Sequence, residues 1–532
     1  MPRRRPLYLL AVLAMLGQMA FAMVTTAVQQ SPTIDEPVYV ATAEVYRQQH
    51  SLRYNPEHPP LGKLIMAVGT AFAGAELDPA HPGDQTRLGR HLLYETGNNP
   101  FRLMLLARLP IILLTLLFGL VVLVFARDVA GPLAGLIALA LYSFSPDVIA
   151  HGSLATLDVP AAGMLLTAFW LAWRARTRPT WYVPLAGAAL GAALATRMSV
   201  LPAVPLLLLL AGLSTWRNRT DQRRRRLMIA VGAALGAGVI AVAVVWITYL
   251  LVDPRLRWTT PPGLDQIHWL KRLAVDLLPF PQAYQDGMLI QFRFENRSFS
   301  GFLLGEAYQG SPWYYLPAAI AIKTPLGMLA LWSAGAVTML VIPRLRAAAL
   351  YVLPVSALLL AVGMAGERNF GTRYSVFLPM FLAVAAGTVA LIRVRWARIS
   401  TAVLVAFVAV SSLLTFPYYL PYSNEAFGGT DRTHLHLHDA NVDWGQDLAR
   451  LGQRLRADHP GEPVWLVYKG SGVPGYYGIT ARDPYTVPDD QVRGLLVVSD
   501  SRVALAGPRL KNWIASSTEI GNVGHSIRIY RR

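Results

Sequence analysis

The chain has 532 residues, well above the roughly 250 to 300 at which one soluble core stops growing, so it divides into domains or uses a solvent other than water. Hydrophobic residues make up 54% and charged residues only 15%, which excludes a disordered chain and a purely soluble enzyme. The absence of cysteine excludes disulfide frameworks, thiol nucleophiles and thiolate metal sites.

Apolar segments of about 20 residues recur along the chain, and each is long enough to cross about 30 Å of hydrocarbon as a helix. We therefore predict an α-helical polytopic membrane protein with about 11 spans, within a range of 9 to 13. The segments cover residues 7–28, 103–126, 131–149, 154–173, 181–196, 198–215, 227–251, 314–342, 347–365, 374–391 and 399–420.

Arginine collects in every second connection between these segments. The basic connections contain 18 Arg residues, and the only acidic residues in them are Asp128 and Asp221. The positive-inside rule places these connections in the cytoplasm, so residues 29–102, 252–313 and 421–532 are expected outside. The net charge of +17 then reflects membrane topology, and we expect no nucleic-acid partner.

The first outer loop, residues 29–102, carries two adjacent carboxylates just after the first span. Thr33 and Glu36 have the spacing of a capping box, so Glu36 either starts a helix or takes part in chemistry. Asp35 lies outside that pattern. A carboxylate near headgroup depth is a candidate general base, because activating a hydroxyl acceptor requires a positioned proton acceptor.

Lysine is scarce in this chain, with five residues against 43 Arg. Lys323 falls about nine residues into the predicted span that begins at Tyr314, roughly 13 Å deep by helical rise. An intramembrane cation is by default functional, with snorkelling to the interface as the alternative.

Four motifs follow one another along the chain: Asp35-Glu36 with Pro56-Glu-His-Pro-Pro-Leu-Gly-Lys63, Ser145-Pro-Asp through to Asp158, Lys323-Thr-Pro325, and Arg373-Tyr374. In this order they resemble the GT-C membrane glycosyltransferases of the protein O-mannosyltransferase and lipid A aminoarabinose transferase type. The resemblance covers most of residues 1–420, which we take as the transmembrane glycosyltransferase domain.

The resemblance implies a donor sugar on a polyprenyl phosphate and inverting transfer to a protein, glycan or lipid acceptor on the extracytoplasmic face. It also implies an integral protein of a bacterial inner membrane. A departing phosphate needs cations at the same interface to stabilise its charge.

The expected site residues combine this resemblance with their positions in the sequence. The candidate catalytic carboxylates are Asp35, Asp158 and Glu36, of which Asp158 is carried over from the family. The candidate donor-phosphate ligands are Lys63, Arg197, Lys323, Arg373, Tyr374 and His58. The candidate substrate-positioning residues are Glu57 and His151.

A divalent metal stays open as a cofactor, while a metal-free base mechanism is the default. The candidate oxygen and nitrogen ligands on the predicted outer side are Glu57, His58, Asp35 and Asp158. They do not show the tight sequence spacing of a metal motif. A second His-rich run consists of His434, His436 and His438. On a strand these three would share one face, either as a zinc site or as a polar surface.

Residues 252–313 and 421–532 form the other two outer pieces. Alternating polar and aromatic residues over 291–299 predict a strand or an extended lid at the membrane surface. Residues 421–532 have the composition of a small α/β domain, with a helix around 448–455 and strands at 464–468, 495–499 and 526–530. The run from Asn441 to Asp447 resembles a segment that follows the last span in bacterial relatives, with no role assigned.

Two other function classes remain open from the sequence. A flippase or carrier for lipid-linked sugars would need polar groups along a path through the bilayer. A non-catalytic membrane scaffold would use its carboxylates as helix caps.

Overall fold

The structure, a computed structural model, describes residues 4–78, 80–219, 221–264, 267–295 and 297–532; the predicted cytoplasmic Arg3 lies outside them. Within these ranges the helices in chain order are α1 (Arg4–Gln29), α2 (Glu36–Gln49), α3 (Leu61–Thr70), α4 (Gln85–Tyr94), α5 (Pro100–Ala130), α6 (Pro132–Ser143), α7 (Pro146–Gly152), α8 (Asp158–Arg174), α9 (Pro179–Leu194), α10 (Val204–Asn218), α11 (Arg223–Val252), α12 (Trp269–Asp276), α13 (Gln282–Glu295), α14 (Tyr315–Lys323), α15 (Leu326–Val341), α16 (Arg346–Ala349), α17 (Leu353–Met364), α18 (Phe377–Gly387), α19 (Arg395–Thr415), α20 (Leu448–Asp458), α21 (Asp500–Ala504) and α22 (Pro508–Ala515).

Each of the predicted apolar segments contains a helix or two consecutive helices. By length and apolar composition, five helical stretches in the described ranges are able to cross a membrane, and up to eight if each sharply bent pair forms one span. The bent pairs are α6 with α7, α14 with α15, and the helices on either side of residue 350.

The sharpest bend, 116°, separates α14 from α15 and corrects the expected position of Lys323. Pro325 has no N–H and disfavours helical geometry at Thr324, which is extended (φ −98°, ψ 131°). Lys323 therefore ends a short helix beside residues of the C-terminal region, and does not lie in the middle of a continuous span.

The three predicted outer pieces meet at one end of the helix bundle. Gln291 donates to the Glu57 carbonyl at 2.8 Å, and Ser31 N donates to the Gln446 carbonyl at 3.0 Å. Two of the predicted basic connections contact each other, because Arg174 pairs with Asp128 at 2.8 Å. The polar chemistry of the site is thus gathered with the outer loops and the C-terminal region.

The strand or extended lid expected over residues 291–299 is wrong for most of that stretch, because 291–295 belong to α13. The helix buries Leu289 and Ile290 and includes an Asp286–Gln282 hydrogen bond of 2.8 Å at helical spacing. A short hairpin follows, made of β1 (Ser300–Leu303) and β2 (Glu306–Gln309).

The C-terminal region contains a five-stranded mixed sheet in the order β4-β3-β5-β7-β6. Its strands are β3 (Val464–Val467), β4 (Ala481–Arg482), β5 (Leu495–Ser499), β6 (Thr518–Val523) and β7 (Ile527–Arg531). Strand β5 is buried along its whole length, and α20 packs on one face while α22 packs on the other. The three strands predicted from sequence correspond to β3, β5 and β7.

Candidate active site

Asp35 lies directly before α2 and forms an ion pair with Arg373, which follows α17 much later in the chain. Arg373 Nη1 and Asp35 Oδ2 are 2.6 Å apart, and the Asp35 side chain keeps 27% of its surface exposed. Within the described residues, this is the one hydrogen bond that the Asp35 carboxylate receives. Arg373 Nε is buried and has no hydrogen-bond partner there, so both members of the pair retain hydrogen-bonding capacity.

A second cation, Arg197, lies near the ring of Tyr374. The Tyr374 ring is 5.2 Å from the Arg373 guanidinium carbon and 5.5 Å from that of Arg197. Arg197 forms an ion pair with Asp158, which is buried in the first turn of α8. Two guanidinium groups therefore lie near one aromatic ring, and one of them pairs with the Asp35 carboxylate.

Two histidines border this cluster with unsatisfied ring nitrogens. His58 Nδ1 and both nitrogens of the fully buried His151 are without partners in the described structure. Burial, and next the charge of Arg197, hold the pKa of His58 well below its usual range, so its ring is neutral. His151 lies edge-on to Trp444 with 6.2 Å between ring centroids. Both imidazoles can exchange hydrogen bonds with a ligand.

Glu36, the neighbour of Asp35, is completely buried and fully engaged. Its carboxylate accepts two hydrogen bonds from Arg108 (2.7 and 2.6 Å), two from Thr33 (2.9 and 3.0 Å) and one from Ala155 N (2.7 Å). Burial alone raises the pKa of Glu36, but Arg108 and the hydrogen-bond donors reverse that effect and the net pKa is lowered. This carboxylate has no oxygen left for a substrate.

Arg108 is equally saturated. Besides Glu36, it donates to the carbonyls of Ala27 (2.7 Å), Gln30 (3.0 Å) and Ser31 (3.2 Å). All five of its N–H groups are thereby used. The pair fixes the backbone that joins α1 to α2, from which Asp35 projects.

Lys63 holds the loop before α3. Its ammonium donates to the Asn55 carbonyl (2.9 Å), the Asn55 side-chain oxygen (3.0 Å) and the His58 carbonyl (2.7 Å), which uses all three protons. In the same loop, Glu57 accepts a 2.6 Å hydrogen bond from Gln85 in the first turn of α4. These contacts shape the loop that presents His58.

Lys323 is also held by internal acceptors. Its buried ammonium donates to the carbonyls of Leu420 (2.5 Å) and Asn441 (2.9 Å), and Asp147 lies 3.7 Å away. Lys323 and Asp147 line a small cavity with Ser145, Trp332 and Ser375. Lys323 therefore joins the end of α14 to the C-terminal region.

The run Asn441–Asp447, here called the 441–447 segment, connects the loop before α2 to the Arg373 turn. Trp444 O accepts from Ile34 N at 3.0 Å, directly before Asp35. The Asn441 side chain accepts from Thr372 N at 3.0 Å, directly before Arg373. The Trp444 ring itself lies 4.5 Å from the Arg373 guanidinium carbon. This segment thus fixes both members of the Asp35–Arg373 pair.

Sequence reasoning did not identify Arg108, Trp444 or Arg368 as parts of this region. Arg108 had a usable signal, because it is a single charge inside the predicted span 103–126. Arg368, which donates to Gln291 Oε1 at 2.6 Å, and Trp444 reach the region only through long-range folding. No local pattern marks them.

Neither predicted metal set forms a cluster. In the described part of the chain, the one group of three His, Asp or Glu side chains with ligand atoms close together is Asp78, His81 and His91. The prediction that the C-terminal histidines share one face of a strand is wrong, because the run lies in and after a 3-10 helix (Thr430–Leu435). His434 there contacts Arg528 at 2.6 Å, whereas His436 packs on Phe427.

Comparisons with known proteins concern the sequence of the first half of the chain and the fold. The sequence matches the dolichyl-phosphate-mannose-protein mannosyltransferase family over residues 14–256, and no curated protein matches the chain. The structure is similar to that of ArnT from Cupriavidus metallidurans bound to undecaprenyl phosphate, at 16% identity and a TM-score of 0.51, over 98% of this chain and 97% of that chain. It is also similar to the oligosaccharyltransferase AglB from Archaeoglobus fulgidus, at 10% identity and a TM-score of 0.45, over 92% of this chain and 69% of that chain.

The likeness to ArnT extends over nearly the whole chain and confirms the predicted fold. The match over residues 14–256 includes Asp35, Asp158 and Arg197, which the structure brings to one end of the bundle. The structure therefore has an ArnT-like fold with helices able to cross a membrane, and the family match covers residues 14–256, less than half of the chain.

Proposed function

We propose that the chain transfers a sugar from a polyprenyl-phosphate donor to an acceptor at the extracytoplasmic face of a bacterial inner membrane. The observation that carries the proposal is the partly exposed Asp35 carboxylate paired to Arg373, with Arg197 near the same tyrosine ring. The ArnT structure contains undecaprenyl phosphate, which supports a lipid-linked phosphate as the donor class.

The reaction follows from these charges. An acceptor hydroxyl or amine attacks the anomeric carbon opposite the phosphate, the bond from that carbon to the phosphate oxygen breaks, and the configuration inverts. The departing phosphate takes the electron pair and is stabilised by Arg373 and Arg197, whose guanidinium forks match phosphate oxygens. Asp35 accepts the acceptor's proton.

The Asp35–Arg373 pair couples donor binding to base activation. Arg373 has one buried N–H without a partner, so a phosphate can bind it and draw the guanidinium away from Asp35. The carboxylate then loses its counter-charge and becomes a stronger proton acceptor. In this scheme Tyr374, His58 and His151 contact the donor, and Asp158 orients Arg197.

The remaining predicted residues position the groups that contact the substrates. Glu36, Lys63 and Lys323 have their hydrogen-bonding capacity largely committed to backbone or side-chain partners, and Glu57 accepts a hydrogen bond from Gln85. They hold the segments from which Asp35, His58 and Arg373 project. A carrier or scaffold explains less, because it does not require a carboxylate and two guanidinium groups with unused bonding capacity at one end of the bundle.

The test uses the full chain in nanodiscs, with undecaprenyl phosphate as the probe. Arg373→Met is expected to weaken its binding about 10-fold or more by native mass spectrometry, because one charge-assisted contact is lost. The same variant is expected not to restore a sugar modification that cells lacking the protein have lost. Arg482→Met, an exposed arginine in β4, is the matched control. Wild-type binding and restored modification by Arg373→Met would overturn the proposal.

A further inference from the structure

A group of metal-ligating side chains lies outside the candidate active site, in the first outer loop. His81 and His91 stack with 4.4 Å between ring centroids, and His91 Nε2 is 3.7 Å from Asp78 Oδ2. One ligand atom from each of the three residues lies within 4.8 Å of the others. Two imidazoles and one carboxylate form a donor set that zinc accepts.

Two further features favour a ligand over a simple ion pair. His81 Nε2 is buried and has no hydrogen-bond partner in the described residues, an arrangement that carries a desolvation cost unless something binds it. Gly83 allows this close approach, since a Cβ there would lie 2.4 Å from His81 Nε2. A side chain at residue 83 would therefore collide with this nitrogen.

The second feature is the orientation of His91. Its Nδ1 hydrogen-bonds to Glu95 Oε2 at 3.0 Å, and Glu95 directly follows the last residue of α4. A carboxylate on Nδ1 fixes the ring tautomer that leaves Nε2 free as a ligand, and this is the usual outer contact of a zinc-binding histidine. Nε2 is the His91 atom that faces Asp78.

We infer that Asp78, His81 and His91 bind one zinc-class divalent cation, with water as the fourth ligand. A tetrahedral site with ligands about 2.0 to 2.1 Å from the metal needs ligand atoms about 3.3 Å apart. The present spacing reaches that value by side-chain movements of about 1 Å, which rotation of the half-buried side chains can supply.

The proposed ion has a structural role. It joins the turn at Asp78 and His81 to α4, whose first residue, Gln85, bonds to Asn55 N (2.9 Å) and to Glu57 (2.6 Å). The His81 carbonyl also accepts from Tyr54 at 3.4 Å. The site therefore braces the loop that carries His58 without contacting the proposed substrates.

The experiment measures zinc in the full chain, purified with an affinity tag that contains no histidine and stripped with chelator before zinc is returned. Wild type is expected to bind one zinc per chain in a competition titration with a chromophoric chelator. His91→Gln and His81→Gln are expected to weaken zinc affinity at least 100-fold, and Glu95→Gln about 10- to 100-fold.

His459→Gln is the matched control, because His459 Nδ1 also hydrogen-bonds to a carboxylate, Glu462, at 3.0 Å, but His459 is not part of a metal-ligating cluster among the residues that the structure describes. It is expected to bind zinc like wild type. X-ray absorption of the loaded protein is expected to show two imidazole ligands. Failure of wild type to bind a stoichiometric zinc, or full zinc retention in both His81→Gln and His91→Gln, would overturn the inference.

Discussion

Two carboxylate–guanidinium pairs involve the adjacent residues Asp35 and Glu36. They have the same chemistry but differ in burial and in how many of their hydrogen-bonding groups are used. Glu36 and Arg108 are sealed, with side-chain exposures of 0% and 1%, and every polar hydrogen of the guanidinium is used. Asp35 and Arg373 are open, with exposures of 27% and 10% and an unpaired N–H on the arginine. A saturated pair holds structure, whereas an unsaturated one can exchange partners with a substrate.

The largest expected effect comes from breaking the sealed pair. Glu36→Gln leaves the Arg108 charge buried without a counter-ion, which costs on the order of 3–5 kcal/mol. We expect a large loss of folded protein and a strongly lowered thermal midpoint in detergent. Glu306→Gln, on the exposed β2, is the control. A midpoint equal to that of the control would mean that this pair is not structural.

A smaller effect is expected from the 441–447 segment, which supports the open pair. Asn441→Ala removes the acceptor for Thr372 N and the donor to the Tyr315 hydroxyl (2.9 Å). Displacing the Arg373 turn by a fraction of an ångström is expected to lower sugar transfer about 10- to 100-fold. The readout is the transfer rate at saturating donor.

The control for this variant is Asn512→Ala on α22, an exposed asparagine. If Asn441→Ala unfolds the protein, Asn441→Asp keeps the acceptor and loses only the donor. A transfer rate in a folded Asn441 variant that equals wild type would remove the 441–447 segment from the site.

The comparison also shows how far sequence reasoning reaches. Apolar length predicted about 11 spans, whereas five to eight helical stretches in the described ranges are long and apolar enough to cross a membrane. Asp35 was distinguished from Glu36 because only Glu36 fitted capping-box spacing. Arg108 was missed because its contact with Glu36 joins residues 72 positions apart in the sequence. Trp444 was missed because it contacts Arg373 from the C-terminal region. The lone charge of Arg108 in an apolar segment was a local signal, but its partner could not be identified from the sequence.

Other sequence expectations met competing physical effects. Lys323 was placed deep in a span because apolar composition continues across Thr324 and Pro325, but the proline breaks the helix there. Polar and aromatic alternation at 291–295 predicted a strand, whereas burial of Leu289 and Ile290 favours α13. Composition indicates that a segment is apolar or amphipathic, whereas local breaks and tertiary packing decide whether it forms a helix or a strand and where a helix ends.

The smallest expected effect lies far from both pairs, at His434. Burial, followed by the Arg528 charge, lowers the pKa of His434 to about 4. A histidine with a lowered folded-state pKa contributes its full stability above about pH 6.5 and loses it as the pH falls toward 4. His434→Asn keeps an acceptor for Arg528 Nη2 but does not titrate.

We therefore expect the thermal midpoint of wild type to fall more between pH 7.5 and pH 5 than that of His434→Asn, by about 2 °C. His459→Asn serves as the comparison variant. An equal pH response in wild type and His434→Asn would show that the buried ring does not sense pH.

The most direct test of the open pair is Asp35→Asn, measured for sugar transfer and undecaprenyl phosphate binding in the same nanodisc preparation. We expect transfer to fall about 10²- to 10⁴-fold, because the proton acceptor is gone. Lipid phosphate binding is expected to stay or strengthen, because Arg373 loses a competing anion. Asp490→Asn, an exposed aspartate, should match wild type in both assays. Near-normal transfer by Asp35→Asn would contradict the account.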